Sequence, residues 1–222
     1  MRLLIIGTTI ALLTLVGCAT SPVEQAPVPR VEAAPAQAPT GLSRTRAAVV
    51  RTAAKLVGAT TIESHGRKIA YDCAGVTRAI FLEHGIDLYN GGSDDPKANG
   101  VRLIFAHIRR HGRLHQSPVA QPGDLAFFDN TWDFNGDGRL NDPLTHVGVV
   151  ERVDLDGTVT FISRVADSVE RYRMNLALPH VHKTADGRVL NDYIRRKHPN
   201  DPDDMGHLTG ELFTFYGARL GQ

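Results

Sequence analysis

The 222-residue sequence holds only two cysteines, Cys18 and Cys73. It has no basic block and no interleaving of aromatic with basic residues, and its 25 basic residues nearly balance 24 acidic ones. No nucleic-acid partner is expected on those grounds. The N-terminal apolar run, Leu3 to Val16, falls short of the about 20 residues that cross a bilayer. No internal repeat is visible. There are 10 histidines, and His107 and His111 would share a helix face. However, no HExxH pattern or nearby Cys/Glu cluster completes a zinc site around His107, His111 and His115 or around His180 and His182. These read as solvated surface.

What is present begins with a targeting segment. Arg2 supplies a basic start and Leu3 to Val16 an apolar core of signal-peptide length. Leu15-Val16-Gly17-Cys18 resembles the lipobox of bacterial lipoproteins, in which the cysteine is acylated and becomes the first residue. The resemblance implies a signal peptide over 1–17 and a lipid anchor on Cys18. Ala19, where an aspartate would be a retention signal, implies the cell envelope at the periplasmic face of the outer membrane. Residues 18–40 are rich in Pro, Ala, Val and Gln and read as an extended linker. Residues 41–222 are long enough for one domain with a sizeable core.

Within that domain the pattern changes from helical to strand-like. Ser43 is placed to cap a helix over about 44–57, closed by Gly58. Residues 60–68 read as a polar loop crossing the active-site face. Val76, Ile80, Phe81 and Ile86 mark a second helix ending at Gly85, and Val101, Ile104, Phe105 and Ile108 a third ending near Gly112. Strands are expected at 125–128, 146–153 and 158–163, near 172–178, and in a closing run at 211–216. Helices followed by strands predict an α+β domain with an antiparallel sheet.

The second helix opens on Tyr71-Asp72-Cys73-Ala74-Gly75. A thiol at a helix N-terminus lies in the positive end of the dipole, which lowers its pKa. The unpaired backbone N–H groups there can hold an oxyanion. A buried structural cysteine is the alternative. If Cys18 carries lipid, Cys73 has no intramolecular partner, and an unpaired cysteine in an exported chain marks a reactive thiol. His146, at a strand start, is the candidate base.

Three segments in order carry a wider resemblance: Asp72-Cys73-Ala74-Gly75, Pro122-Gly123-Asp124-Leu125-Ala126-Phe127-Phe128, and His146-Val147-Gly148-Val149-Val150. Over about residues 44–165 the chain resembles the NlpC-type bacterial cell-wall cysteine peptidases. The resemblance implies a papain-like α+β fold, with N-terminal helices packed on an antiparallel sheet and the catalytic cysteine at a helix N-terminus. It implies hydrolysis of an amide in peptidoglycan stem peptides, often the γ-D-glutamyl to diamino acid bond, with no redox cofactor. Cys73 matches the nucleophile and His146 the base. Ser163 falls, by register, at the third catalytic position, with Asp167, His180 or His182 as substitutes from loops. Tyr71 is expected to help line the oxyanion site, and Asp72 to help bind substrate. Ala74 departs from the serine usual after the cysteine. The rival readings are a CHAP-like amidase or endopeptidase cutting another wall bond, a catalytically inactive wall-binding module, and a thiol acyltransferase.

One insertion precedes His146. Asp133-x-Asn135-x-Asp137-Gly138 matches the opening of a calcium loop, with Arg139 offering its carbonyl and Asn141 its side chain. Leu144 stands where a bidentate glutamate would complete the shell, so Asp129 or Asp142 would have to complete it. A structural calcium and a solvated Asp/Asn/Gly loop are both compatible with this pattern. Trp132 reads either as a substrate-facing aromatic or as a lid anchor.

Overall fold

The computed structural model describes residues 41–116, 119–197, 201–202 and 205–221. The chain divides between residues 37 and 38, and everything below concerns the second unit. The expected signal peptide 1–17, the lipidated Cys18 and the linker 18–40 lie outside the described residues. No helix among the described residues is long and apolar enough to cross a membrane.

Helix α1 (Gly41–Lys55) buries Val49 and Ala53 completely, four residues apart and therefore on one face. Ser43 lies inside its first turn, which corrects the expected cap: the helix begins upstream of it. After it, Gly58 adopts φ +84° and donates its N–H to Val169 O at 2.8 Å. The expected loop at 60–68 is instead a small antiparallel hairpin, β1 (Glu63–Ser64) and β2 (Arg67–Lys68). Two-residue polar strands carry no alternation that a sequence pattern can register.

Helix α2 (Cys73–Leu82) follows. Val76, Ile80 and Phe81 are fully buried, each contributing roughly 1.5–3 kcal/mol of apolar burial. The helix stops where Gly85 takes φ +74° and Ile86 N–H returns to Phe81 O at 3.1 Å. Ser64 donates to Glu83 Oε1 at 2.7 Å, so the β1–β2 hairpin sits at the C-terminal end of α2. That corrects the expectation that 60–68 crosses the active-site face, because Cys73 is at the other end. Helix α3 (Gly100–His111) is capped by Asn99, whose side chain accepts Arg102 N–H at 2.9 Å, and ends at Gly112.

The strands are β3 (Arg113–His115), β4 (Leu125–Phe128), β5 (His146–Val153), β6 (Val159–Arg164) and β7 (Val169–Met174). The short helix α4 (Thr209–Leu212) runs into β8 (Phe213–Ala218). The sheet order is β3-β8-β4-β5-β6-β7, every pairing antiparallel. The protein is thus α+β with a six-stranded antiparallel sheet. The fourth expected strand is shifted: it starts at Val169 and ends at Met174, before the expected 178. Strand β3 and helix α4 were not anticipated.

Both faces of the sheet are covered. Leu125, Phe127, Val147, Val149 and Ile162 pack with the helices, while Ala126, Phe128, Val150, Phe161 and Tyr216 pack with Ile194 and Leu212. This is why β4 reads Leu-Ala-Phe-Phe with no polar alternation. A buried ion pair ties α1 to the turn before β4: Arg46 Nη1 lies 2.8 Å from Asp124 Oδ1 and also donates to Pro122 O at 2.9 Å. Removing one partner of such a pair costs about 3–5 kcal/mol.

Candidate active site

Cys73 is the first residue of α2. Asp72 caps the helix in an extended conformation, its Oδ1 accepting Gly75 N–H at 2.7 Å. Gly75 is required here, because a Cβ would fall 1.8 Å from Ala70 O. The turn into the helix therefore passes too close for any side chain, and that closeness sets the direction in which Cys73 leaves the backbone. Ala74 is buried, its Cβ placed 2.6 Å from where a Cβ on Gly100 would lie. Close packing of α3 thus occupies the space beside the residue after the cysteine.

Strand β5 brings His146 to the same place. The backbone N–H of Val147, the next residue, reaches the Cys73 sulfur. Gly148 permits close packing of β5 on β6, since a Cβ there would lie 2.5 Å from the Phe161 ring. The segment entering β5 is held in tension. Leu144 has φ +58°, a region that costs a branched side chain of order 1–3 kcal/mol. Two clamps hold it: Leu144 N–H donates to Asp129 Oδ1 at 2.8 Å, and Asn99 Nδ2 donates to Leu144 O at 3.2 Å.

Ser163 is fully buried against the imidazole. Its Oγ lies 2.9 Å from His146 Nε2 and 2.7 Å from Val147 O. A carbonyl can only accept, so the single hydroxyl proton goes to Val147 O. The serine oxygen must then accept from Nε2–H. That assignment makes Nε2 the protonated nitrogen and leaves the Nδ1 lone pair available as a base. Register in β6 pointed to this serine, and the structure brings it to the ring. Asp167, His180 and His182 do not reach the imidazole. The carbonyl of Asp167 accepts from Tyr71, and the two histidines line a separate cavity with His207 and Glu211.

Cys73 and His146 line one cleft of about 640 Å³, together with Asp72, Asn99, Trp132 and Arg164. Tyr71 is not among the lining residues. Its hydroxyl is directed at the carbonyls of Ala59 and Asp167, so it braces the loops behind the helix. Trp132 is half exposed on the cleft while its Nε1 donates to Thr145 O at 3.2 Å. It is therefore both a cleft aromatic and an anchored one. Sequence reading passed over Arg164, Arg195 and Arg196, which also line the cleft. Arg164 directly follows Ser163, and alternation along a strand would send it to the opposite face, so register carries no signal for it. The pair at 195–196 arrives by a long return segment that carries none.

Burial governs the protonation of the pair. It pushes the Cys73 thiol up to about 12, and the Asp72 charge adds to that. The N–H groups of Val147, Ala74 and Cys73 oppose it. The same burial, with the Arg164 charge second, pulls the His146 imidazole down to about 3. The N–H groups at the helix start do act on the thiol in the expected, lowering direction, and burial acts against them as the larger cause. Both shifts favour the uncharged forms, thiol and neutral imidazole, over an ion pair.

The 133–142 loop closes on itself. Asp133 accepts from Gly136 N at 2.7 Å and from Gly138 N at 2.8 Å, Asn135 Oδ1 from Asp137 N at 2.9 Å, and Asp137 Oδ1 from Arg139 N at 2.9 Å. Asn141 Nδ2 donates to Asp137 Oδ2 at 2.8 Å. Among the described residues no three His, Cys, Asp or Glu side chains gather closely enough to hold a metal ion.

A cysteine at a helix N-terminus, sharing a cleft with an imidazole held by a serine, is an arrangement able to attack a carbonyl. No family model and no curated protein matches the chain. Among solved structures it is similar to the NlpC/p60 domain of the peptidoglycan hydrolase SagA, at 21% identity over 57% of this chain and 86% of that one, with a TM-score of 0.34. That overlap is too low to carry an argument about family or reaction.

Proposed function

We propose that the chain is a papain-like cysteine hydrolase of the NlpC type, cutting an amide of a peptidoglycan stem peptide. The observation that supports this best is the relay from His146 Nε2 through Ser163 to Val147 O, which leaves Nδ1 free in the cleft that Cys73 lines. In the proposed reaction Cys73 Sγ attacks the amide carbon while its proton passes to His146 Nδ1. The carbonyl π electrons move to oxygen, which the N–H groups at the start of α2 receive. Collapse expels the amine, which takes the proton from Nδ1, and leaves a thioester. Water then attacks, giving its proton to Nδ1, and the thiolate departs and recovers that proton.

Lipid attachment at Cys18, and with it a place at the outer membrane, belongs to the same proposal and rests on the Leu15-Val16-Gly17-Cys18 motif. A calcium ion in the 133–142 loop is proposed only as a brace for the segment that leads into His146. Asp142, 2% exposed with one carboxylate oxygen unpartnered, is the observation in its favour.

One feature favours a second reading, an inactive wall-binding module: the thiol held up at about 12. Mass spectrometry of purified muropeptides after incubation with the protein and with Cys73→Ala separates the two. Fragments that vanish in the variant support the hydrolase, and their masses name the bond. Intact muropeptides that bind both forms support the module.

A further inference from the structure

Among the phenylalanine, tyrosine and tryptophan rings of the described residues, only Trp132 at 49% and Tyr193 at 45% are exposed. Both line the Cys73 cleft. Neither is left to swing. Trp132 donates Nε1–H to Thr145 O at 3.2 Å and meets Phe134 edge to face at 5.1 Å, and Tyr193 rests against the His182 ring at 4.7 Å. A fixed, wet aromatic surface is relieved of its hydration by a ligand with an apolar face. Tyr193 also lines a second cavity, of about 410 Å³, and so forms a wall common to both. In that cavity His182 donates Nδ1–H to Asn191 O at 2.6 Å and His180 donates Nδ1–H to Glu211 Oε1 at 3.1 Å, which leaves Nε2 of each ring as an acceptor. The second oxygen of Glu211 accepts from the N–H groups of His207 and Leu208. Asp201 faces His207 Nε2 at 3.5 Å, and the Lys197 ammonium lies over the Tyr193 ring at 4.9 Å. The charges there already have partners, so the cavity suits a neutral ligand rich in hydrogen-bond donors.

We propose that Trp132 and Tyr193 form a carbohydrate subsite, which takes a pyranose ring carried by the same substrate molecule as the scissile amide. A pyranose combines an apolar face of axial C–H groups with a rim of equatorial hydroxyls. The face covers an aromatic ring, and the rim supplies donors to Nε2 of His180 and His182. A peptide backbone offers no such pairing of a flat C–H face with a ring of hydroxyls. The inference rests on the hydrolase reading for its bond, and within that reading it names the substrate as a stem peptide still joined to its glycan. Sugar binding itself stands apart from that reading and is tested apart from turnover.

Trp132 is the only tryptophan in the sequence, so the emission of the full-length protein reports this subsite directly. The probe is the β-1,4-linked tetramer of N-acetylglucosamine, which carries no stem peptide. A saturable change in emission is expected, and Tyr193→Ala should weaken the affinity roughly fivefold or more. Titration calorimetry reads the other ring. Trp132→Leu should weaken binding by a similar factor, and Trp132→Phe, which keeps an aromatic face, should recover part of the loss. No saturable change in emission and no heat of binding with the parent protein overturns the subsite. So does an affinity that survives both Tyr193→Ala and Trp132→Leu with their circular dichroism unchanged. Turnover gives the second readout: kcat/KM should be about tenfold higher for a disaccharide-linked stem than for the same stem without sugar, and Tyr193→Ala should erase most of that preference. Cleavage that ignores the sugar overturns the subsite and leaves the hydrolase reading standing. Saturable sugar binding without any cleavage overturns the hydrolase reading and leaves the subsite standing.

Discussion

Two buried histidines sit in different regions of this molecule and spend their ring nitrogens differently. His107, on α3, has both ring nitrogens engaged: Nδ1 with Asn90 O at 3.0 Å, and Nε2 with the Nε of Arg219 at 3.1 Å. An arginine can only donate, so Nε2 accepts and Nδ1–H donates to the carbonyl. The ring is a strut between the loop after α2 and the end of β8. His146 engages one nitrogen and keeps the other for the cleft. Burial lowers the pKa of both, so a depressed pKa does not distinguish base from strut. The unspent lone pair beside a thiol does.

The largest expected difference between the two is in turnover. Cys73→Ala or His146→Ala should lower kcat/KM on muropeptides by roughly 10⁴-fold or more. His107→Asn should leave it within about threefold and lower the melting temperature instead. If His107→Asn abolished turnover while the protein stayed folded, the comparison would be wrong. Next in size is the orienting serine. Ser163→Ala frees Nε2–H and the ring's rotation, and kcat should fall roughly 10- to 100-fold with KM little changed. Ser163→Asn, which can still accept from Nε2–H, should recover part of the loss.

The pH behaviour sharpens the contrast further. The folded pKa of His146 lies below the unfolded 6.5, at about 3. Between these values the unfolded chain binds a proton that the folded chain refuses, so stability falls as pH drops through that window. The loss is on the order of 2 kcal/mol by pH 5. Urea midpoints for His146→Gln should therefore be flatter between pH 6.5 and 5 than those of the parent. The Cys73 pKa is raised, so its contribution is lost above pH 9 in the opposite sense. Iodoacetamide should alkylate Cys73 slowly at pH 8 in the folded protein and quickly once it is unfolded. Fast alkylation at pH 6 would instead mean a preformed thiolate–imidazolium pair. The smallest effect is expected from calcium: millimolar calcium should raise the melting temperature by about 1–3 °C, and only with Asp133 and Asp137 intact. An equal rise in Asp133→Ala would dismiss the loop as its site.

The parts of this site that could be read from sequence are the local ones. Asp72, Cys73 and Gly75 form a cap, a first turn and a close approach to Ala70, all set within six residues. Ser163 followed from counting along β6. The misread parts are those that depend on distant packing. The hairpin at Glu63–Lys68 is ordered by α2, and its own residues carry no strand signal. Tyr71 lies two residues from Cys73 but spends its hydroxyl on the carbonyls of Ala59 and Asp167. The lowering effect of the helix N-terminus on the thiol is visible in a sequence, and the opposing desolvation is not. Arg195 enters the cleft from a segment more than a hundred residues downstream of Cys73, and no spacing rule connects them.

Cys73 is the free cysteine of the described residues, and it stands half-buried at the wall of the cleft. With Cys18 replaced by serine, a small thiol-directed fluorophore coupled slowly to Cys73 would sit at one known point, on the cleft that Trp132 and the arginines also line. A ligand entering the cleft would push the tethered dye aside or change its surroundings, so occupancy can be followed in real time without labelling the ligand.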